Sequence, residues 1–138
     1  MSNQHLIDAE THSGLQTHLG YRLVAWSDGA AVVEMDIRPE ILNRQNIPHG
    51  GVHAVLLDTA MGYCGCFTGD TEKRQLALTL SMTVNYLGQA KGTRLIATGR
   101  RTGGGRSTFF AEAQVADDLG NPVATATGVF RYRPALAR

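Results

Sequence analysis

Two periodicities divide the chain. From His49 the sequence reads HGGVHAVLLDTAMGYCGCF, apolar on nearly every side, which predicts a helix buried around its whole circumference. Pro48 disfavours helical geometry at Ile47, so this helix is expected to start near His49 and to run to about Thr68. Beyond a polar loop, Gly69–Arg74, the period changes to two. Leu76, Leu78, Leu80, Met82, Val84 and Tyr86 alternate with Ala77, Thr79, Ser81, Thr83 and Asn85, which predicts a strand with one face directed at the core. Thr93–Arg101, Ser107–Asp117 and Val123–Tyr132 read as further strands, separated by the turn signals Gly103-Gly104-Gly105 and Asp118-Leu119-Gly120-Asn121. Upstream, Gly20–Trp26 and Ala30–Ile37 read as a hairpin turned by Ser27-Asp28-Gly29, preceded by a short polar helix within residues 4–17. The expected architecture is α+β, an antiparallel β-sheet wrapped around one long central helix. So small a sheet leaves an edge to cover, and pairing with a second copy would cover it, which predicts a homodimer.

Composition narrows the partners. With 138 residues, 43% of them apolar and 18% charged, the chain suits a single domain over residues 1–138. A formal charge of +1 offers no broad basic face for nucleic acid. No apolar run is long enough to span a bilayer and no signal-peptide pattern opens the chain, so a cytoplasmic location is expected. The only cysteines, Cys64 and Cys66, are two apart in the expected helix and point in different directions, which makes them core thiols rather than a disulfide.

The start of the long helix is where chemistry concentrates. Its first-turn amides lack helical partners, and Gly50 and Gly51 carry no side chains, so a carbonyl oxygen could approach those N–H groups closely. Asp58 lies two turns further on, among Leu56, Leu57, Ala60 and Met61, where an ionised carboxylate needs partners or chemistry. At a rise of about 1.5 Å per residue the two points are ~12 Å apart, so one reacting carbonyl cannot touch both. If both serve one reaction, Gly50 of one subunit must meet Asp58 of another. Asp58 could otherwise be a structural carboxylate bonded to a neighbouring strand. His49 and His53 have the i, i+4 spacing of metal ligands, but Asp58 projects roughly 180° from His49, so these three do not close on one ion and no metal is expected.

The ordered run from Asn43 through His49-Gly50-Gly51 to Asp58, with RPEILN before it and MTVNYL and GNPVATATGVFR after it, resembles the hotdog-fold acyl-CoA thioesterases of the PaaI-like (phenylacetic acid degradation) subgroup over about residues 19–133. The resemblance implies a hotdog fold, assembly as homodimers and as homotetramers of two dimers, active sites at the dimer interface, and an acyl-CoA substrate without metal or redox cofactor. It implies that Asp58 is the catalytic carboxylate, as general base or nucleophile, that Gly50 is the oxyanion amide, that Asn43 and His49 complete the site, and that Thr79 holds the attacking water. Gly51 would help bind substrate. Asn46 stands where many relatives have glycine, and asparagine tolerates the left-handed conformation such a position implies.

Some features admit two readings. Gly103-Gly104-Gly105 with Arg100, Arg101 and Arg106 could cradle the coenzyme A phosphates, Arg106 first among them, or form a hairpin turn with solvated charges. Met61, Met82, Phe109 and Phe110 could line an acyl tunnel or be plain core. A non-catalytic acyl-CoA-binding module and a hotdog enoyl-CoA hydratase or dehydratase are the rival functions.

Overall fold

The apolar run at His49 forms one helix, α3 (Gly50–Gly65), whose Leu56, Leu57, Ala60, Met61 and Cys64 are fully buried. Our structure, a computed structural model, describes residues 2–134 and the backbone of residues 136 and 137. The helix stops three residues before the expected Thr68. There the Cys66 N–H turns back to the Tyr63 carbonyl, and the Trp26 indole donates to the same oxygen at 2.8 Å.

Around α3 runs an antiparallel sheet of six strands: β1 (Arg22–Ser27), β2 (Ala30–Asp36), β4 (Ala77–Tyr86), β5 (Arg94–Gly104), β6 (Thr108–Asp117) and β7 (Pro122–Tyr132). Their spatial order is β1-β2-β5-β6-β7-β4. A two-residue strand, β3 (Lys73–Arg74), pairs with β8 (Leu136–Ala137) apart from the main sheet. Instead of one helix within residues 4–17 there are two, α1 (Gln4–Asp8) and α2 (Gly14–Leu19); Ser13 accepts the Gln16 N–H and restarts the chain as an N-cap. Among the described residues no helix is long and apolar enough to cross a membrane.

Each edge strand of the main sheet carries a β-bulge. In β1 the register slips between Leu23 and Ala25, so Leu23 and Trp26, three apart, both enter the core. In β4 it slips between Thr79 and Ser81. This overturns the strict alternation expected there: Leu78 and Leu80 are not core-directed but 53% and 56% exposed, and Thr79 falls in phase with Met82, Val84 and Tyr86.

Helix and sheet meet backbone to backbone at Gly99 of β5, where an added Cβ would lie 2.5 Å from the Ala60 carbonyl oxygen. Beside that contact, Phe109 and Phe130 stack at 4.9 Å and 7°. Phe109 and Met61 are fully buried, whereas Phe110 points to the opposite face and is 48% exposed, so the two phenylalanines do not line one tunnel together.

Because the obstacle at Gly99 is backbone, Gly99→Ala should destabilise the fold by at least about 2 kcal/mol. Gly14→Ala, with nothing within 4 Å of the new methyl, should cost nothing; urea unfolding of the two variants makes the comparison.

Candidate functional site

The segment before α3 is tied into a fixed loop by its own asparagine. Asn43 Oδ1 accepts the Gln45 N–H at 2.8 Å and the Ile47 N–H at 3.4 Å, while the Asn43 N–H bonds to the Ile47 carbonyl and the Asn46 N–H to the Asn43 carbonyl. Asn46 has φ 60°, the left-handed geometry expected of a residue in a glycine's place. A bridge between Leu42 and Pro48 closes the loop. Asn43 thus acts on the loop itself, and through the loop on where the helix begins.

At that start, His49 is the N-cap: its Nδ1 accepts the Gly51 N–H at 2.8 Å. The Gly51 amide is therefore taken, and the neutral His49 ring keeps its proton on Nε2 as a remaining donor. Gly50 N–H has no hydrogen-bond partner among the described residues, so of the two expected donors it is the one left for a carbonyl oxygen. The Tyr86 hydroxyl donates to the Gly50 carbonyl at 2.7 Å, and a Cβ at Gly50 would stand 3.3 Å from the Tyr86 ring. Tyr86 lies within the MTVNYL run but carries no signal of this role in the sequence.

Asp58 is half-buried rather than sealed in the core, and it opens into a cavity of about 210 Å³ also lined by Thr79, Ala77, Gly62 and Phe130. Thr79 donates its hydroxyl to Asp58 Oδ1 at 2.6 Å, a contact the β4 bulge makes available. The two lie together in one protomer, whereas Gly50 lies two helical turns away, ~12 Å along the axis. A contrast with Asp117 is informative. That carboxylate is 2% exposed and accepts from the Lys91, Gly92, Leu119 and Asn121 amides and the Asn121 side chain. Burial opposes its ionisation, but these hydrogen bonds, Asn121's first, outweigh it and hold its carboxyl below the usual range. Asp117 is a saturated structural carboxylate; Asp58 has a single donor, Thr79, among the described residues.

The arginines divide in a similar way. Arg100 pairs with Glu112 at 2.5 Å and Arg101 with Asp28 at 3.0 Å, so each already has an acidic partner. Arg106 instead shares an open groove with Arg131 and Arg133. Cys64 and Cys66 are buried and unpaired, and burial pushes each thiol up to about 12. No group of three or more His, Cys, Asp or Glu among the described residues could hold a metal ion.

With this geometry in place, comparison with known proteins is direct. The sequence model of the Thioesterase superfamily matches residues 45–124. A protein of Archaeoglobus fulgidus bearing an esterase designation is 29% identical over 111 residues, spanning 80% of this chain and 69% of its own. The 1,4-dihydroxy-2-naphthoyl-CoA hydrolase of Listeria monocytogenes is 26% identical over 105 residues, spanning 76% of this chain and 84% of its own. In fold, the chain is similar to the E. coli PaaI protein from the phenylacetic acid degradation operon, with a TM-score of 0.78 at 23% identity over 95% of this chain and 91% of that one.

His53, one turn into α3, is 5% exposed, its Nδ1 has no hydrogen-bond partner among the described residues, and its ring lies 6.3 Å from that of Tyr86. Burial, and then the nearby His49, lower its pKa below the ordinary 6.5. In acid the unfolded chain takes up a proton that the folded one resists. The stability this ring contributes is therefore complete above pH 6.5 and is lost as pH falls through the lowered folded value. The unfolding free energy should accordingly decline as pH falls below 6.5, and His53→Gln should flatten that limb in denaturant titrations on the acid side.

Proposed function

The chain belongs to the thioesterase superfamily, and from that premise we propose that it hydrolyses an acyl-CoA thioester to the free acid and CoA at sites shared between two copies. The observation that carries the reading is Asp58, a carboxylate with one hydrogen bond among the described residues, opening into a cavity and held by Thr79. The CoA-hydrolase name of the Listeria relative supports the substrate class.

In the reaction, water enters beside Asp58 and donates one hydrogen to Oδ2 and the other to Thr79 Oγ1, whose own proton is already given to Oδ1. As the water oxygen bonds to the thioester carbon, its proton passes to Asp58, and the carbonyl oxygen becomes an oxyanion. Gly50 N–H of the second copy receives that charge, a preorganised donor worth on the order of 3 kcal/mol. Collapse of the tetrahedral intermediate breaks the C–S bond; the thiolate leaves and takes up the proton held by Asp58. A base positioned in this way contributes about 10²- to 10⁴-fold. The residues need no cofactor to complete the cycle.

The second copy is supplied by the edge strand. β4 ends the sheet with Leu78 and Leu80 exposed, and antiparallel pairing of two β4 edges about a two-fold axis would cover them and set the two α3 helices side by side in opposite directions. That brings each Gly50 toward the other copy's Asp58, and two such dimers make the homotetramer. Arg106, with Arg131 and Arg133 in its groove, meets the CoA phosphates.

Asp58→Ala should lower kcat by at least about 10²-fold while leaving the fold intact, and Asn43→Ala should disorder the loop that presents Gly50. Mixed after dissociation, the two inactive variants should regain about a quarter of wild-type activity, since half of randomly reassorted dimers are mixed and each holds one intact site. No recovery despite proven subunit exchange would refute the shared site. Arg106→Ala should raise KM for acyl-CoA several-fold with kcat retained, measured as CoA release followed chromatographically.

A further inference from the structure

Around the Gly50 N–H each adjoining backbone group is tied. The His49 N–H bonds to the Ile41 carbonyl at 2.9 Å, and the His49 carbonyl accepts the Val52 N–H at 2.9 Å. The Gly50 carbonyl accepts the Tyr86 hydroxyl at 2.7 Å, and the Gly51 N–H donates to His49 Nδ1 at 2.8 Å.

The last pair of bonds belongs to a single peptide, Gly50–Gly51, held by a side chain at each end. Such tethers matter at this point of the chain. Glycine resists backbone rotation least of all residues, and a helix offers no internal partner to its first-turn N–H groups. The tethers also run in one direction: Tyr86 O–H donates into the peptide, and the peptide N–H donates on to the imidazole. Hydrogen bonds in series polarise one another, and the acceptor role of Nδ1 leaves the neutral His49 ring with its proton on Nε2. Tyr86 presses on the donor residue as well, since its ring atom Cε1 stands 3.3 Å from where a Gly50 Cβ would be.

Of these ties, the one from Tyr86 comes from the sheet. Tyr86 closes β4 opposite Ala124 of β7, and the next N–H, of Leu87, bonds to the Val123 carbonyl at 2.8 Å. On the helix side its ring lies 6.3 Å from that of His53, which is 5% exposed. The same strand carries Thr79, the donor to Asp58. β4 thus touches α3 at both chemical points, at Asp58 through one hydroxyl and at Gly50 through the other.

We infer that Tyr86 is a positioning residue, whose hydroxyl holds the Gly50–Gly51 peptide and the His49 ring in register so that the Gly50 N–H stays aimed outward as the oxyanion donor. The role rests on the thioesterase reading of Gly50 and deepens it, because it makes the aim of that donor depend on a side chain outside the helix.

The test compares wild type with Tyr86→Phe, which keeps the ring and removes the hydroxyl, by CoA release from straight-chain acyl-CoAs from acetyl to dodecanoyl and from benzoyl- and naphthoyl-CoA. On the member that wild type turns over fastest, kcat should fall about tenfold with KM within about twofold, the pattern of an interaction that matters in the transition state. The Gly51 amide supplies a readout that a merely structural role would not move. Its hydrogen exchange should quicken about tenfold in Tyr86→Phe while the Leu56, Leu57 and Ala60 amides keep their wild-type rates. In a His49→Ala background, where the Gly51 amide has already lost its acceptor, Tyr86→Phe should leave that exchange unchanged. A kcat within about twofold of wild type, or Gly51 exchange that does not respond to Tyr86→Phe, overturns the positioning role and leaves the thioesterase reading standing. Hydrolysis of no member by wild type overturns the thioesterase reading and the positioning role with it, whatever the Gly51 amide does.

Discussion

The backbone of α3 rests directly on the sheet at Gly99, where a methyl would come within 2.5 Å of the Ala60 carbonyl oxygen and 3.0 Å of the Met61 amide. Gly65 repeats the arrangement from the helix side, with the Phe109 ring 2.2 Å from where its Cβ would be. Helices with side chains at their contacts pack 8–10 Å from their neighbours; removing Cβ atoms here lets the helix sink into the sheet and locks it against sliding. That depth sets the axial position of every residue on α3. Gly50 is thereby fixed beside Tyr86, and Asp58 is fixed where β4 passes with Thr79.

The bulges at the two edges of the sheet act on the same geometry. Strict alternation along β1 could not bury both Leu23 and Trp26, and along β4 it could not face both Thr79 and Met82 to the helix. One extra residue in each strand resolves the conflict and increases the local twist. In β1 the result is structural, since Trp26 reaches the last turn of α3 and holds the Tyr63 carbonyl. In β4 it is chemical: the hydroxyl of Thr79 reaches Asp58, and the leucines on either side of it are left at the rim of the sheet, where a second copy would pair.

The sequence disclosed those parts of the fold that depend on local rules. Pro48 and the two glycines marked the helix start within a residue, because the pre-proline restriction and the free first-turn amides are local effects. The left-handed Asn46 was legible for the same reason, through the glycine it replaces in the resembling family. The phase of β4 was not, because a bulge is decided by what the neighbouring strand and the helix require, and the letters LTLSMTV alternate perfectly without it. Asp58 stood out as a carboxylate in apolar company, but its degree of burial did not, since an entirely apolar helix gives no sign of which face meets a cavity.

A folded protein that can surround a carboxylate with five hydrogen bonds at Asp117 does not leave another with one for lack of donors. Asp58 instead accepts from Thr79 alone among the described residues and opens into the cavity. That is the setting the proposed hydrolysis would need, a carboxylate aimed by one donor and within reach of water. Because the Thr79 hydroxyl donates through its only proton, its lone pairs would remain to accept from such a water. The start of α3 shows a parallel division: His49 caps the Gly51 amide, and the Gly50 amide has no partner among the described residues. On the proposed reading a single α3 would then carry both halves of a site, too far apart to work on one carbonyl, and two antiparallel copies would be the simplest arrangement to complete both sites at once.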